Sequence, residues 1–176
     1  MATTSSNKMP LLVDRPLHSF ASLGATAGLT TASDFNTPNT SLTLLVDCTA
    51  NDGAIIDSIS LISNQASMTS AKVIAFLSVA PTVASVTATN TLAVAFATLG
   101  SGLGDRVNMS LPALCVPVPN LASPAATASA YPSETDKKNT GIYVPSGATL
   151  FVGTSAAITA PSAASRVNVF AQGGFF

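Results

Sequence analysis

Chemistry at a protein surface needs particular side chains within reach of one another, and this sequence holds few of them. A nucleophile activated by a base would have to use His18, the single histidine, with Asp14 and one of the many serines. Those residues fall in a stretch without sustained periodicity, so no rigid element fixes their geometry, and a solvated or hydrogen-bonded histidine is the expectation. A glycosidase-type carboxylate pair needs two acids held at a set separation on rigid elements. Here Glu134 is the sole glutamate, and the aspartates sit mostly at turns, as Asp52 and Asp105 do. Gly100-Ser101-Gly102-Leu103-Gly104 has the glycines of a phosphate-cradling loop but neither the Lys-Ser/Thr pair nor the helix that must follow, so it reads as a turn between strands. Cys48 and Cys115 are the only cysteines, with no CxxC spacing. Soft ligands for a metal site are too few, and two buried free thiols are expected in preference to a disulfide or redox pair. Asn39-Thr40-Ser41 and Asn108-Met109-Ser110 match the N-glycosylation pattern only as chance occurrences in a Ser/Thr-rich chain. The residues therefore predict no enzyme, no metal and no cofactor.

Composition points toward contact instead of chemistry. Charged residues make up 9% of the 176-residue chain and apolar ones 47%, where about 25% charge is usual. The surface must then be covered by hydroxyls, amides and alanines, which protect poorly against association. Such a surface suits a chain that is covered by subunits or by a larger assembly. The net charge is −1, and the densest charged group is Glu134, Asp136, Lys137 and Lys138. No basic stripe neutralises phosphates and tryptophan is absent, so no nucleic-acid partner is expected. No uninterrupted apolar window approaches the roughly 20 residues of a membrane helix, so no membrane partner is expected either. The polar start Met1–Lys8 and the short run Leu11–Val13, closed by Asp14 and Arg15, lack a signal peptide's apolar core. The expectation is a chain made and kept in a cytoplasm until it assembles.

The elements that must position any interaction are strands. Residues 1–35 hold Pro10, Pro16, Gly24 and Gly28 without a period and are expected to form an extended N-terminal arm. From residue 36 to 176, short apolar segments separated by Gly, Pro, Asn and Asp predict one domain of seven or eight strands. Leu42, Leu44, Val46 and Cys48 alternate as a half-buried strand. Asn51-Asp52-Gly53 then predicts a hairpin into Ile55–Ile62, where Asp57 falls on the apolar parity, so either a β-bulge, the favoured reading, or a buried hydrogen-bonding partner is expected. Ala71–Val79 is apolar on both faces in its middle, so it should be covered on both sides. Leu92, Val94 and Phe96 alternate before the Gly100–Gly104 loop, and Val107, Met109 and Leu111 after it, as a second hairpin. Pro112, Pro117, Pro119 and Pro124 mark a long connection to about Thr140. Ile142–Val144 and Thr149–Gly153 flank Pro145-Ser146-Gly147 as a late hairpin, and Arg166–Gln172 closes the domain. An all-β, jelly-roll-type antiparallel β-sandwich with an extended N-terminal arm accommodates this pattern. An immunoglobulin-like sandwich fits less well, because tryptophan and a clear tyrosine corner are missing.

The stretch Ile142-Tyr143-Val144-Pro145-Ser146-Gly147-Ala148-Thr149-Leu150-Phe151-Val152-Gly153, followed by Val167-Asn168-Val169-Phe170-Ala171-Gln172-Gly173-Gly174, resembles the end of small jelly-roll proteins on tailed-bacteriophage virions. The resemblance extends loosely to Leu42–Leu77. It implies a capsid decoration, or cement, protein on the virion's capsid surface, often a trimer, that staples neighbouring subunits of the major capsid protein. The family has no catalytic residues to carry over. Related jelly rolls occur in tails and fibres, and the alternative is a receptor- or carbohydrate-binding module using Tyr131, the 124–140 connection and the Gly100–Gly104 turn. The residues expected to meet a partner are Leu11, Leu12, Val13, Leu17 and Phe20 of the arm, with Phe175 and Phe176, which could equally cap the core.

Overall fold

The computed structural model describes residues 15–24, 42–69, 71–86, 90–109, 116–117, 141–154, 158–159, 161 and 166–176. Strands β1 (Arg15–Leu23), β2 (Thr43–Asp47), β3 (Gly53–Ser63), β4 (Ala71–Ser78), β5 (Thr91–Leu99), β6 (Arg106–Asn108), β7 (Val116–Pro117), β8 (Ile142–Pro145), β9 (Thr149–Thr154) and β10 (Val167–Phe175) carry the fold. They form two antiparallel sheets packed face to face. Sheet A has the order β1-β10-β3, with β6 and β8 sharing the far edge of β3, and sheet B has the order β2-β9-β4-β5-β7. The main core lies between them and includes Leu17, Leu23, Ile56, Ile59, Leu61, Val73, Leu150 and Val169. The expected all-β sandwich is present.

The first correction concerns the arm. Residues 15–23 are not part of an aperiodic lead-in: they pair with β10 from Arg15↔Phe175 to Leu23↔Val167 without a register shift. Leu17, Ala21 and Leu23 point into the core, while Pro16, His18, Phe20 and Ser22 are exposed, which is ordinary strand alternation. Ser19 belongs to the inward parity and donates a hydrogen bond to the Leu45 carbonyl of sheet B. A polar residue inside and a proline at the start hid the period. Residues 1–14 and 25–35 lie outside the described residues.

The three expected hairpins are corrected as well, because each turn joins one sheet to the other. β2 and β9 belong to sheet B, while β3 and β8 belong to sheet A; β5 lies in sheet B, while β6 pairs with β3. Burial explains the sorting. All six residues of β9 are buried, so it needs cover on both faces, whereas β8 alternates and suits a sheet with one wet face. The late turn itself stands where predicted. The Ala148 N–H donates to the Pro145 carbonyl, Gly147 sits at φ +80°, and the N–H groups of Gly147 and Cys48 close the corner onto Cys48 and Ala148. In the Gly100–Gly104 crossing, the Gly102 N–H donates to Asp105 at 2.8 Å, and Ser63 receives the Gly104 N–H and donates to Asp105.

Bulges correct two alternation readings and bear out a third. The β2–β9 register shifts between Leu44 and Val46, so Leu45, Val46 and Cys48 turn inward while Leu44 is exposed. The β4–β5 register shifts likewise between Ala75 and Phe76, which places Val94 in the main core and Phe96 on the outer face of sheet B. In β3 the partner of Gln172 is Ser58 and that of Gly173 is Ile56, so Asp57 is the extra, exposed residue. The bulge expected there is present. It brings the chains so close that a Cβ on Gly173 would lie 1.9 Å from the Ile55 carbonyl oxygen.

The outer face of sheet B is a second core. Ile74, Phe76, Phe96 and Phe151 are buried there with Leu42, Ala80, Val86 and Ala93, and Val83 packs against them. The segment from Ala80 to Val86 is held by a buried hydroxyl row: Thr91 donates to Ser78, Ser78 to the Asn90 carbonyl, and Thr149 to the Ala80 carbonyl at 2.7 Å. The expected two-sided cover of β4 is borne out.

Candidate binding face

With the outer side of sheet B occupied by its own chain, sheet A presents the open face. Strand parity brings Pro16, His18, Phe20 and Ser22 of β1 beside Asn168, Phe170 and Gln172 of β10, then Ser58, Ser60 and Ile62 of β3. Asn108 and Arg106 of β6 extend one end of that face and Tyr143 of β8 the other. One row across the sheet reads Phe20, Phe170, Ser60, Asn108. The two phenylalanine rings lie 5.1 Å apart at 54°, and Phe20 is 55% exposed. Tyr143, also 55% exposed, pairs with Phe176 at 6.1 Å.

Around these rings the polar groups hold one another in place. Ser60 donates to Asn108 Oδ1 at 2.8 Å, Ser22 donates to Asn168 Oδ1 at 2.9 Å, and Asn168 donates to Asn64 at 3.0 Å. Fixing these rotamers within the fold lowers the entropy lost when a partner is bound. Asp57 at the bulge, with Arg106 and Arg166 at the margin, are the charges that strand parity places among the described residues of this face. Attachment through it would rest on aromatic burial and amide hydrogen bonds, with little long-range electrostatics.

The expected contact residues separate. Leu11, Leu12 and Val13 lie outside the described residues. Leu17 is 1% exposed in the core and serves the sandwich, so it is not a surface contact of the folded chain. Phe20 is on the open face. Phe175 packs against the main core, with the Arg15 guanidinium 5.7 Å from its ring centre, while Phe176 is half-buried beside Tyr143. The capping reading holds for Phe175, and Phe176 lies against Tyr143 of the same chain. Phe170 and Tyr143, absent from the expected contacts, supply half of the aromatic surface. Their signal was available, since each is an aromatic on the outward parity of a strand whose alternate residues are buried.

The residues weighed for chemistry remain apart. His18 is exposed and lines a cleft between β1 and β2 together with Asp47; Asp14, Glu134, Tyr131 and Cys115 lie outside the described residues. Cys48 is a buried free thiol, and burial, reinforced by the Asp47 charge, pushes its pKa up, away from nucleophilic use. Among the described residues no three His, Cys, Asp or Glu gather as a metal site, and no helix is long and apolar enough to cross a membrane. Comparison with family models, with curated proteins and with solved structures finds no match.

Proposed function

We propose that this chain is a structural virion protein, a capsid decoration protein that attaches to the major capsid protein through the open face of sheet A and stabilises the phage head. The observation that carries the reading is the contrast between the two outer sheet faces: one is sealed by its own chain, the other displays two aromatic pairs among preset amides with almost no charge. Such a protein binds only the assembled lattice and stabilises it by mass action. Reading the sandwich as a jelly roll is supported by the strand pairing. β1 pairs β10, β2 pairs β9, β3 pairs β8 and β6, and β4 pairs β5. These are the rungs of one long antiparallel ribbon whose successive rungs alternate between sheets, and jelly rolls recur in viral capsid and lectin domains.

Purified particles provide the test. The chain should be found at regular positions on the head by cryo-microscopy, and Phe170→Asp should abolish attachment while the variant still melts cooperatively. Attachment should survive molar salt, since screening acts on charges and this face carries few of them. Absence of the chain from particles overturns the reading. The preset amides beside exposed phenylalanines also favour a second reading, a carbohydrate- or receptor-binding module of a tail or fibre. Glycan-array binding lost in Phe20→Ala, with no attachment to heads, would select it.

A further inference from the structure

The four sheet margins are not alike. At the far side of sheet A the margin strands are three and four residues long, β6 and β8. Sheet B ends in β7, two residues that include Pro117, and at its other margin in the five-residue β2, broken by the Leu45 bulge. Short strands, prolines and bulges are the devices by which natural sheets keep their edges from pairing. β1 lacks them over most of its length. It runs nine residues, its pairing to β10 shows no register shift, and between Pro16 and Leu23 it carries no lysine, arginine or acid. No described strand pairs with its other edge. Beneath that edge lies a cleft of about 360 Å³, lined by buried Leu17, Leu45 and Val46 with Phe175, and by exposed His18 and Asp47. Leu44, 43% exposed, stands at its lip.

We propose that β1 is the seam of a homodimer in which two copies pair β1 with β1, antiparallel across a twofold axis, joining two A sheets into one. A second copy fits for three reasons. A twofold contact sets a surface against itself, which demands self-complementary groups, and backbone amides on a strand whose one arginine or acid is Arg15 at its start, set opposite the far end of the partner strand by antiparallel pairing, meet that demand without bringing like charges together. The strand is about 30 Å long at the rise of an extended chain, and no other described edge offers an equal length of free backbone to pair with. The cleft and Leu44 lie on the same margin, so each copy offers both an apolar projection and an apolar recess. The seam is the free edge of β1, whose Phe20 also belongs to the face proposed to meet the capsid; oligomeric state reads the first and attachment to heads the second, so the two stand or fall separately.

Sedimentation of the full-length chain tests it. The expected species has twice the chain mass, falls to the monomer in Phe20→Lys and in Leu44→Asp, and persists in Phe170→Lys, whose ring lies on the same face but on an interior strand. Hydrogen exchange should show β1 amides that lose protection on dilution while β4 amides keep theirs. A wild-type monomer or the trimer implied by the virion resemblance overturns the proposal, as does a dimer that Phe170→Lys dissociates or that neither edge variant weakens. A dimer that never attaches to heads would remove the capsid reading and leave the seam standing.

Discussion

The outer faces of the two sheets begin from similar material and end in opposite roles. Both carry phenylalanines on strands of comparable length. On sheet B, Phe76 and Phe151 are buried along with Ile74, and Ala80, Val83 and Val86 of the β4–β5 connection close over them. On sheet A, exposed Phe20 meets half-buried Phe170 at a tilted angle, flanked by Ser22, Ser60, Asn108 and Asn168. The sequence distinction is in the companions. β4 and β5 alternate apolar with apolar, so either face must be covered, whereas β1 and β10 alternate apolar with amide, hydroxyl or a lone ring. A lone ring among amides can remain wet at modest cost, and a continuous apolar face cannot. One face therefore became a core and the other a surface available for contact.

The largest effect expected from this division comes from removing a strand of the open sheet. Deleting residues 1–23 strips β1 from β10 and takes Leu17, Ala21 and Leu23 out of the main core, so cooperative melting should disappear. A deletion ending at residue 14 leaves the strand in place and should melt within a few degrees of the full chain. Equal behaviour of the two truncations would return β1 to the role of a dispensable arm.

Next in size is a matched pair of ring deletions. Phe76→Ala empties a fully buried site and should cost about 3–5 kcal/mol, the usual range for a core phenylalanine. Phe20→Ala removes a ring that is 55% exposed and should cost below about 1 kcal/mol, while weakening whatever the face binds. Urea unfolding of both variants gives the comparison directly. Similar costs would mean that the open face is not open in solution.

How far these features could be read from residues alone depends on what each signal specifies. Asp57 announced the β3 bulge because a carboxylate on an apolar parity is too costly to leave there. Two-sided cover of β4 was legible from apolar residues on both parities. Turn chemistry at Asn51–Gly53, Gly100–Gly104 and Pro145–Gly147 located reversals of the chain correctly, but it does not say whether the next strand joins the same sheet or crosses to the other. That choice follows from which strands need cover on both faces, a property of the assembled sandwich. The bulges at Leu45 and Val94 replace one apolar residue by another and leave no trace in the pattern. β1 was masked by Ser19, whose inward hydroxyl is satisfied only by a carbonyl of the opposite sheet. Of the open face, Phe20 and Phe176 were legible as scarce aromatics; Phe170 and Tyr143 became meaningful once the inward parity of their strands was known.

A third test sharpens how the open face is held in register. Gly173 faces the Asp57 bulge, and a methyl group there would meet the backbone of Ile55 and Ile56, the Ile55 carbonyl oxygen at 1.9 Å, with no flexible side chain to yield. Gly173→Ala should therefore cost about 1–3 kcal/mol, as overpacking does, and should shift amide resonances across β3 and β10 while leaving those of sheet B in place. Gly104→Ala is the control for left-handed backbone alone: its φ is +79° and open space surrounds it. If the two variants lose equal stability, the close approach at the bulge contributes nothing beyond local strain.

The smallest expected effect lies where β2 leaves sheet B, at neighbouring residues facing opposite ways. Asp47 is exposed, and the Thr49 hydroxyl and Thr49 N–H, at 2.6 and 2.8 Å, hold its carboxylate below the ordinary 3.8. Both are hydrogen bonds to the charged form, which they stabilise. A carboxylate whose folded value is depressed contributes stability that is present above its unfolded value and is lost as pH falls through the folded one. Asp47→Asn should therefore flatten the acid limb of the stability profile below about pH 4 and change little at neutral pH, because the exposed turn is well screened. Cys48, one residue on, is buried with a raised value, so its contribution is present below the ordinary 9.0 and is lost as pH climbs toward the folded value. Cys48→Ala should spare the acid limb and flatten the alkaline one. Melting curves of the two variants from pH 3 to pH 10 would show the opposed signs; an unchanged acid limb in Asp47→Asn would mean that the Thr49 hydrogen bonds do not persist in solution.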